Sequence, residues 1–273
     1  SFSRRQAEYV LGALGALASS IDRHHQLSGD VDTQGGSLGR VPGLEDALIT
    51  FGMCTGRAAR DDARTAWGMD PPWSWTGLPG ERRFGRAVRA AEEALGGVAD
   101  MLAAVCAGQI AFADAEPVLI AAAQAVVAYT KIQSEMATQP LPGDFLAMRN
   151  FLRPIKIGGV KLEGPNATYA PGWNRFDRAV GIHAENFPEI LGQRVAHMSP
   201  EERDLIAKEC ALPSIAEIVG VIIGFTANEF RRAAVEDVTE RMIAAPEMLH
   251  PSLAAAASLA RATAMLTGVH WGV

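Results

Sequence analysis

Two side chains in this sequence have the type and setting for chemistry, His270 and Arg149. His270 ends the stretch SLAAAASLARATAMLTGVH, a long run of small residues with no carboxylate close by. Read as a helix, that run presents an alanine face on which a flat, bulky group can approach the backbone. A neutral imidazole at the end of such a face is what a haem iron takes as its proximal ligand. A histidine at a helix terminus is also explained by the helix dipole alone, and both readings stay open on the residues. Arg149 stands in GDFLAMRNFLRPI among Phe145, Met148, Phe151 and Leu152, an apolar setting for a group that is always charged. A buried guanidinium requires an anion, and a substrate carboxylate makes a bidentate partner. A structural ion pair with a protein carboxylate is an equal alternative.

The other candidates carry less. His24 and His25 fall in polar, loop-like text, and His183 and His197 read as satisfied surface or core residues. There is no HExxH or HxH spacing, which leaves a protein-only zinc or di-iron centre without support. Three cysteines, Cys54, Cys106 and Cys210, are an odd and widely spaced set that suits neither a disulfide scaffold nor a zinc site. The glycine patterns of dinucleotide and phosphate loops are absent, as is the GxSxG nucleophile elbow. Trp67, Trp73 and Trp75 in a Pro-rich segment read either as a ligand wall or as a plug at a core edge.

These residues have to be positioned by helices. The 273 residues are 48% hydrophobic and 21% charged, alanine is abundant, and β-branched runs are few. The expected fold class is therefore all-α, with residues 1–45 as an N-terminal helix and loop and 46–273 as the main helical domain, the two forming one continuous domain. A helix is expected from AEYVLGALGALASSI to near Asp22, followed by a loop from His24 to Gly43. LEDALITFGMCTGRAARDDARTAW reads as a second helical stretch, and DPPWSWTGLPG as a loop. Long helices follow in ERRFGRAVRAAEEALGGVADMLAAVCAG and AEPVLIAAAQAVVAYTKIQSEMA. PLPGDFLAMRNFLRPI is a short helix closed by Pro154, and IKIGGVKLEG a small hairpin about Gly158 and Gly159. WNRFDRAVGIHAENFPEILGQRVAHM, SPEERDLIAKECA, PSIAEIVGVIIGFTANEFRRAAVEDVTERMIAA and SLAAAASLARATAMLTGVHW complete the helices, with capping serines at SPEE and PSIAE. A net charge of −6 disfavours a nucleic-acid partner, and no apolar run reaches the length of a membrane span. SFSRRQAEYV lacks a signal-peptide core, so the expected location is cytoplasmic.

Three segments, in order, resemble one superfamily. RNFLRPIKIGGVKLEGPNA is similar to the block LRPFxxPIxVGGxxYxGPxA of the pyrrolnitrin-pathway ring-rearranging enzymes, and WSWTGLPGERRF to their SYTGLP segment. HMSPEERDLIAKECALPSIAEIV resembles a stretch of the indoleamine dioxygenases. The likeness runs from about Thr50 to the end, and points to the histidine-ligated haem-dependent aromatic oxygenases. That group includes the indoleamine and tryptophan 2,3-dioxygenases, the oxindole-forming tryptophan monooxygenases and the haem-dependent tyrosine hydroxylases.

The resemblance implies a helical bundle of the dioxygenase type enclosing haem b, with His270 as metal ligand and Arg149 as the catalytic residue that binds the substrate carboxylate. It puts Phe145 on the pocket wall. Gly164, Asn166 and Ala167 fall on a small-residue loop at the haem, Thr168 beside it at the substrate, and Phe84 and Ala87 on the distal roof. Where the dioxygenases carry an arginine three residues before the ligand, this chain has Thr267, and Ala87 offers no side-chain base. The expected activity is accordingly insertion of oxygen into the indole ring of tryptophan or a substituted tryptophan, monooxygenation being favoured over dioxygenation. A role in antibiotic-type secondary metabolism is implied. O₂ is the expected co-substrate, with an external reductant or peroxide, and a homo-oligomer is implied by the family. The alternatives are a haem-dependent tyrosine hydroxylase and a non-catalytic haem-binding protein.

Overall fold

The computed structural model describes residues 2–28, 37–138, 142–181, 187–223 and 250–270. These are mostly helical, as expected. His183 lies outside the described residues, and so does the side chain of His270, whose backbone closes the last helix. None of the described helices is long and apolar enough to cross a membrane. The chain divides into two compact units. One comprises residues 1–90, 134–170 and 192–203; the other comprises 91–133, 171–191 and 204–273. Residues 1–45 and 46–90 thus fall in the same unit.

In the first unit, α1 (Arg4–Leu27) starts on a capping box in which Ser3 and Gln6 satisfy each other's backbone N–H groups. It continues through His24 and His25, which the sequence reading assigned to a loop. Basic side chains in a last turn favour the negative end of the helix dipole, so polar text here extends the helix. The single helical stretch expected over residues 44–67 is broken. α2 (Leu44–Thr55) stops at Gly56, whose φ of +68° is left-handed, and α3 (Ala63–Trp67) restarts on Asp62, which caps it by accepting from Thr65 N–H at 2.8 Å. Leu11 and Ala18 of α1 pack with Leu44 and Leu48 of α2 and with Ile155 and Ile157 in one apolar core.

α4 (Pro79–Cys106) and α5 (Glu116–Thr138) are the long helices expected, and α6 (Pro142–Arg149) is the short one. After α6 come β1 (Ile155–Ile157) and β2 (Val160–Leu162), antiparallel with Ile157 opposite Val160. The two residues between them, Gly158 and Gly159, have φ of +57° and +76°. Positive φ at both positions is the requirement of the tightest hairpin turn, and it explains the glycine pair.

The second unit is a helix packing. Leu95, Val98, Leu102 and Val105 of α4 lie at helical spacing against Leu119, Ala122, Val126 and Tyr129 of α5. α7 (Pro171–Val180) contributes Phe176, α10 (Ile215–Ile223) Ile215 and Val219, and α11 (His250–His270) Leu253 and Leu259. The region expected as one helix from Trp173 onward ends at Gly181, with φ +75°, and resumes as α8 (Phe187–Val195); α9 (Pro200–Cys210) follows. Ala255, Ala256, Ala257 and Ala260 of α11 are buried in this core. Over that part of α11, neighbouring side chains fill the alanine face that the sequence reading left open for a flat cofactor.

Candidate functional site

In the first unit, α4, α6 and the hairpin segment enclose a pocket of about 710 Å³. That is within the usual range of small-molecule sites, roughly 300–1,000 Å³. One wall is aromatic. Asp144 of α6 accepts from Gly80 N–H at 2.9 Å, and so satisfies a free donor of the first turn of α4. This joins the two helices and sets Phe145 against Phe84, ring centroids 5.5 Å apart. Phe84 in turn meets Trp67 edge-on at 5.4 Å, and Trp67 meets Trp75 at 6.4 Å. The loop carrying Trp75 is held by Glu81, 1% exposed, which accepts from Ser74 Oγ (2.7 Å), Trp75 N–H (2.6 Å), and Thr76 N–H (2.8 Å) and Oγ1 (2.5 Å). Four donors on one carboxylate offset its desolvation and make that loop a rigid backing.

The lining also includes residues 152–154 and 163–167, the two segments at the open end of the hairpin, of which Leu152 and Ala167 pack against the Trp67 cluster. Arg60, fully buried, holds the two segments together: its Nη1 donates to the carbonyls of Arg153 (3.1 Å) and Leu162 (3.0 Å). The rest of that guanidinium is met by Asp61 Oδ1, 3.1 Å from Nη2, and by Ser19 Oγ at 3.2 Å. Arg57, next to it, is ringed by Asp62, Glu202 and Glu8 at 3.0–3.2 Å. Burial alone would lower the Arg57 guanidinium, but these carboxylates raise it above the ordinary arginine value. Asn166 Oδ1 accepts from Thr168 N–H (3.0 Å) and Oγ1 (2.9 Å) and caps the short turn Ala167–Tyr169. Tyr169 lines the pocket and stacks on His197, centroids 4.5 Å apart. Burial, with Glu163 nearby, raises the Tyr169 hydroxyl; burial lowers the His197 imidazole.

Six of the residues expected at the site line this one pocket: Arg149, Phe145, Phe84, Gly164, Asn166 and Ala167. Thr168 touches it only through Asn166, and Ala87 is half-buried on α4 outside the lining. Arg149 itself differs from expectation. It is exposed, because Met148 takes the buried position at the end of α6 and leaves the arginine on the open side. Among the described residues its guanidinium has no hydrogen-bond or ion-pair partner, whereas Arg153, on the same wall, donates to Asn150 Oδ1 at 3.1 Å. The structural ion pair considered for Arg149 is therefore not formed with any described residue.

Trp67, read from the sequence as either a ligand wall or a plug at a core edge, is both lining and core, whereas Tyr169, Glu163 and Arg60 escaped the sequence reading of the site. Arg60 and Asp61 sit in RAARDDAR, where alternating charge reads as solvated surface, and nothing local signals burial. Among the described residues no group of three or more His, Cys, Asp or Glu side chains is placed to hold a metal ion. The sequence matches no protein-family model, and no curated protein is significantly similar to it.

Proposed function

We propose that this chain is a haem-dependent aromatic amino-acid oxygenase that inserts oxygen into the indole ring of tryptophan or a substituted tryptophan. The observation that carries the reading is the unpartnered Arg149 guanidinium on the wall of an aromatic-sided pocket. A permanent cation in that position matches a carboxylate bidentately, and the rings of Phe84, Phe145 and Trp67 match an aromatic side chain edge-on. The small residues Gly164, Pro165 and Ala167 also line the pocket and leave room for a ligand beside the rings. These residues fit the substrate side of such a site. The iron-holding role belongs, in this proposal, to His270.

Bound haem b supplies the iron at which dioxygen is activated. The chain's own contribution is placement. Arg149 fixes the amino-acid end, and the aromatic wall orients the ring so that its electron-rich C2–C3 edge faces the reacting oxygen. Correct orientation of two reactants is worth up to about 7–11 kcal/mol of a barrier. Among the described residues no histidine lines the pocket; an indole is a suitable substrate there, because that ring reacts without a protein base removing a proton.

The test is an anaerobic absorbance titration of the reduced, haem-loaded protein with tryptophan, β-methyltryptophan and tyrosine, followed by admission of oxygen together with an external reductant, which takes the second oxygen atom to water, and mass spectrometry. The expected result is a spectral shift with the indole substrates and a product carrying one added oxygen atom. A protein that retains no haem, or a shift and product with tyrosine alone, would overturn the proposal.

A further inference from the structure

The same pocket carries a carboxylate. Glu163 lines the pocket just after the second strand of the hairpin, and its side chain is 51% exposed. Among the described residues its one ion pair is with Lys161 at 3.6 Å, a lysine itself 72% exposed. Such a pair, two residues apart on the surface, contributes little and is readily exchanged for a better partner. Two arginines share the pocket with Glu163, yet neither Arg149 nor Arg153 forms an ion pair with it. Opposite charges in one cavity that do not neutralise each other leave space between them for a ligand bearing both signs. The Glu163 carboxylate is close enough for its charge to raise both the Tyr169 hydroxyl and the His197 imidazole.

We propose that Glu163 receives the α-ammonium group of the ligand whose carboxylate Arg149 receives. The pocket then selects zwitterionic aromatic amino acids over their deaminated and decarboxylated analogues. This rests on reading the pocket as an aromatic amino-acid site, and it adds the group that discriminates among aromatic carboxylates. A carboxylic acid without the amine leaves Glu163 facing the ligand with no cation, and an amine without the acid leaves Arg149 unmatched. Each loss removes one charge-assisted hydrogen bond, about tenfold or more in affinity.

The experiment is isothermal titration calorimetry of the haem-reconstituted protein and its Glu163→Gln and Arg149→Ala variants with tryptophan, indole-3-propionate and tryptamine. Glu163 is half exposed, so its amide variant is expected to melt at the wild-type temperature. The wild type should bind tryptophan about tenfold or more tighter than either analogue. Glu163→Gln should lose that margin against indole-3-propionate while binding indole-3-propionate at least as well as the wild type. Equal wild-type affinity for tryptophan and indole-3-propionate, or a Glu163→Gln variant that keeps the margin, overturns the role of Glu163 and leaves the carboxylate role of Arg149 standing. Failure of the wild type to bind any of the three overturns both.

Discussion

Gly164 lies against the carbonyl group of Leu152 so closely that a methyl group cannot be placed between them. The two residues belong to the two chain segments that form one wall of the pocket, and their contact sets the separation of those segments. The demand is for space at a close backbone approach rather than for a left-handed conformation.

Gly164→Ala is therefore expected to push the Leu152 backbone away and to destabilise the protein by about 1–3 kcal/mol or more, as overpacking does. Thermal unfolding should show the lower midpoint, and calorimetry a weaker ligand. A variant with unchanged midpoint and affinity would mean that the wall tolerates movement.

The Arg60 guanidinium acts on the same wall from behind, through the carbonyls of Arg153 and Leu162. Arg60→Met should cost about 3–5 kcal/mol, because it strands the buried Asp61 carboxylate as well as two carbonyls. Arg60→Lys should recover only part of the loss, since one ammonium group cannot span the carbonyls and Asp61 together. Urea denaturation of the three proteins measures this; equal stability of all three would contradict the clamp.

Arg149 should behave in the opposite way. It is exposed and unpaired, so Arg149→Ala is expected to shift stability by no more than about 0.5 kcal/mol. Its tryptophan affinity should fall by about 1.5–3 kcal/mol, the worth of a charge-assisted hydrogen bond. Normal haem content with no substrate-induced spectral change would accompany that loss, while an unchanged tryptophan affinity would remove the carboxylate role.

The contrast between these two arginines shows what was legible in the chain. Most of the pocket lining was reached through the resemblance of the block from Phe145 to Thr168 to a known family, while Arg149 alone stood out by its own residue type and setting. The hairpin was readable locally: paired glycines between β-branched residues leave few conformations. Burial of charge was not readable. Arg149 has apolar neighbours in sequence but faces outward, since Met148 occupies the inward position of a short helix. Arg57 and Arg60 have charged neighbours in sequence but are buried, since their partners Glu8, Ser19 and Glu202 come from distant segments. The alanine face of α11 misled similarly: small residues permit close approach by a cofactor or by another helix, and within Ala255–Ala260 a packed core took the space.

His197 gives the protein a pH-dependent stability. Burial holds its imidazole below the ordinary 6.5, although Asp62 and Glu163 pull it upward, with Arg60 opposing them. Below pH 6.5 the unfolded chain binds the proton more readily than the folded one, so stability falls as pH drops from 6.5 through the folded value, and this contribution is flat above it. His197→Gln should flatten that portion of the profile. Urea midpoints between about pH 5 and pH 7.5 give the comparison, and parallel profiles for the two proteins would exclude the effect.

In the proposed function His270 holds a haem iron and the Arg149 pocket places the substrate. The most direct measurement is the absorbance spectrum of wild type and His270→Ala after reconstitution with haem b and reduction. The account predicts a histidine-ligated ferrous Soret band in the wild type that shifts on adding tryptophan, with the haem weakly held and that ligation signature lost in the variant. Equal haem retention and the same five-coordinate spectrum in His270→Ala would contradict it.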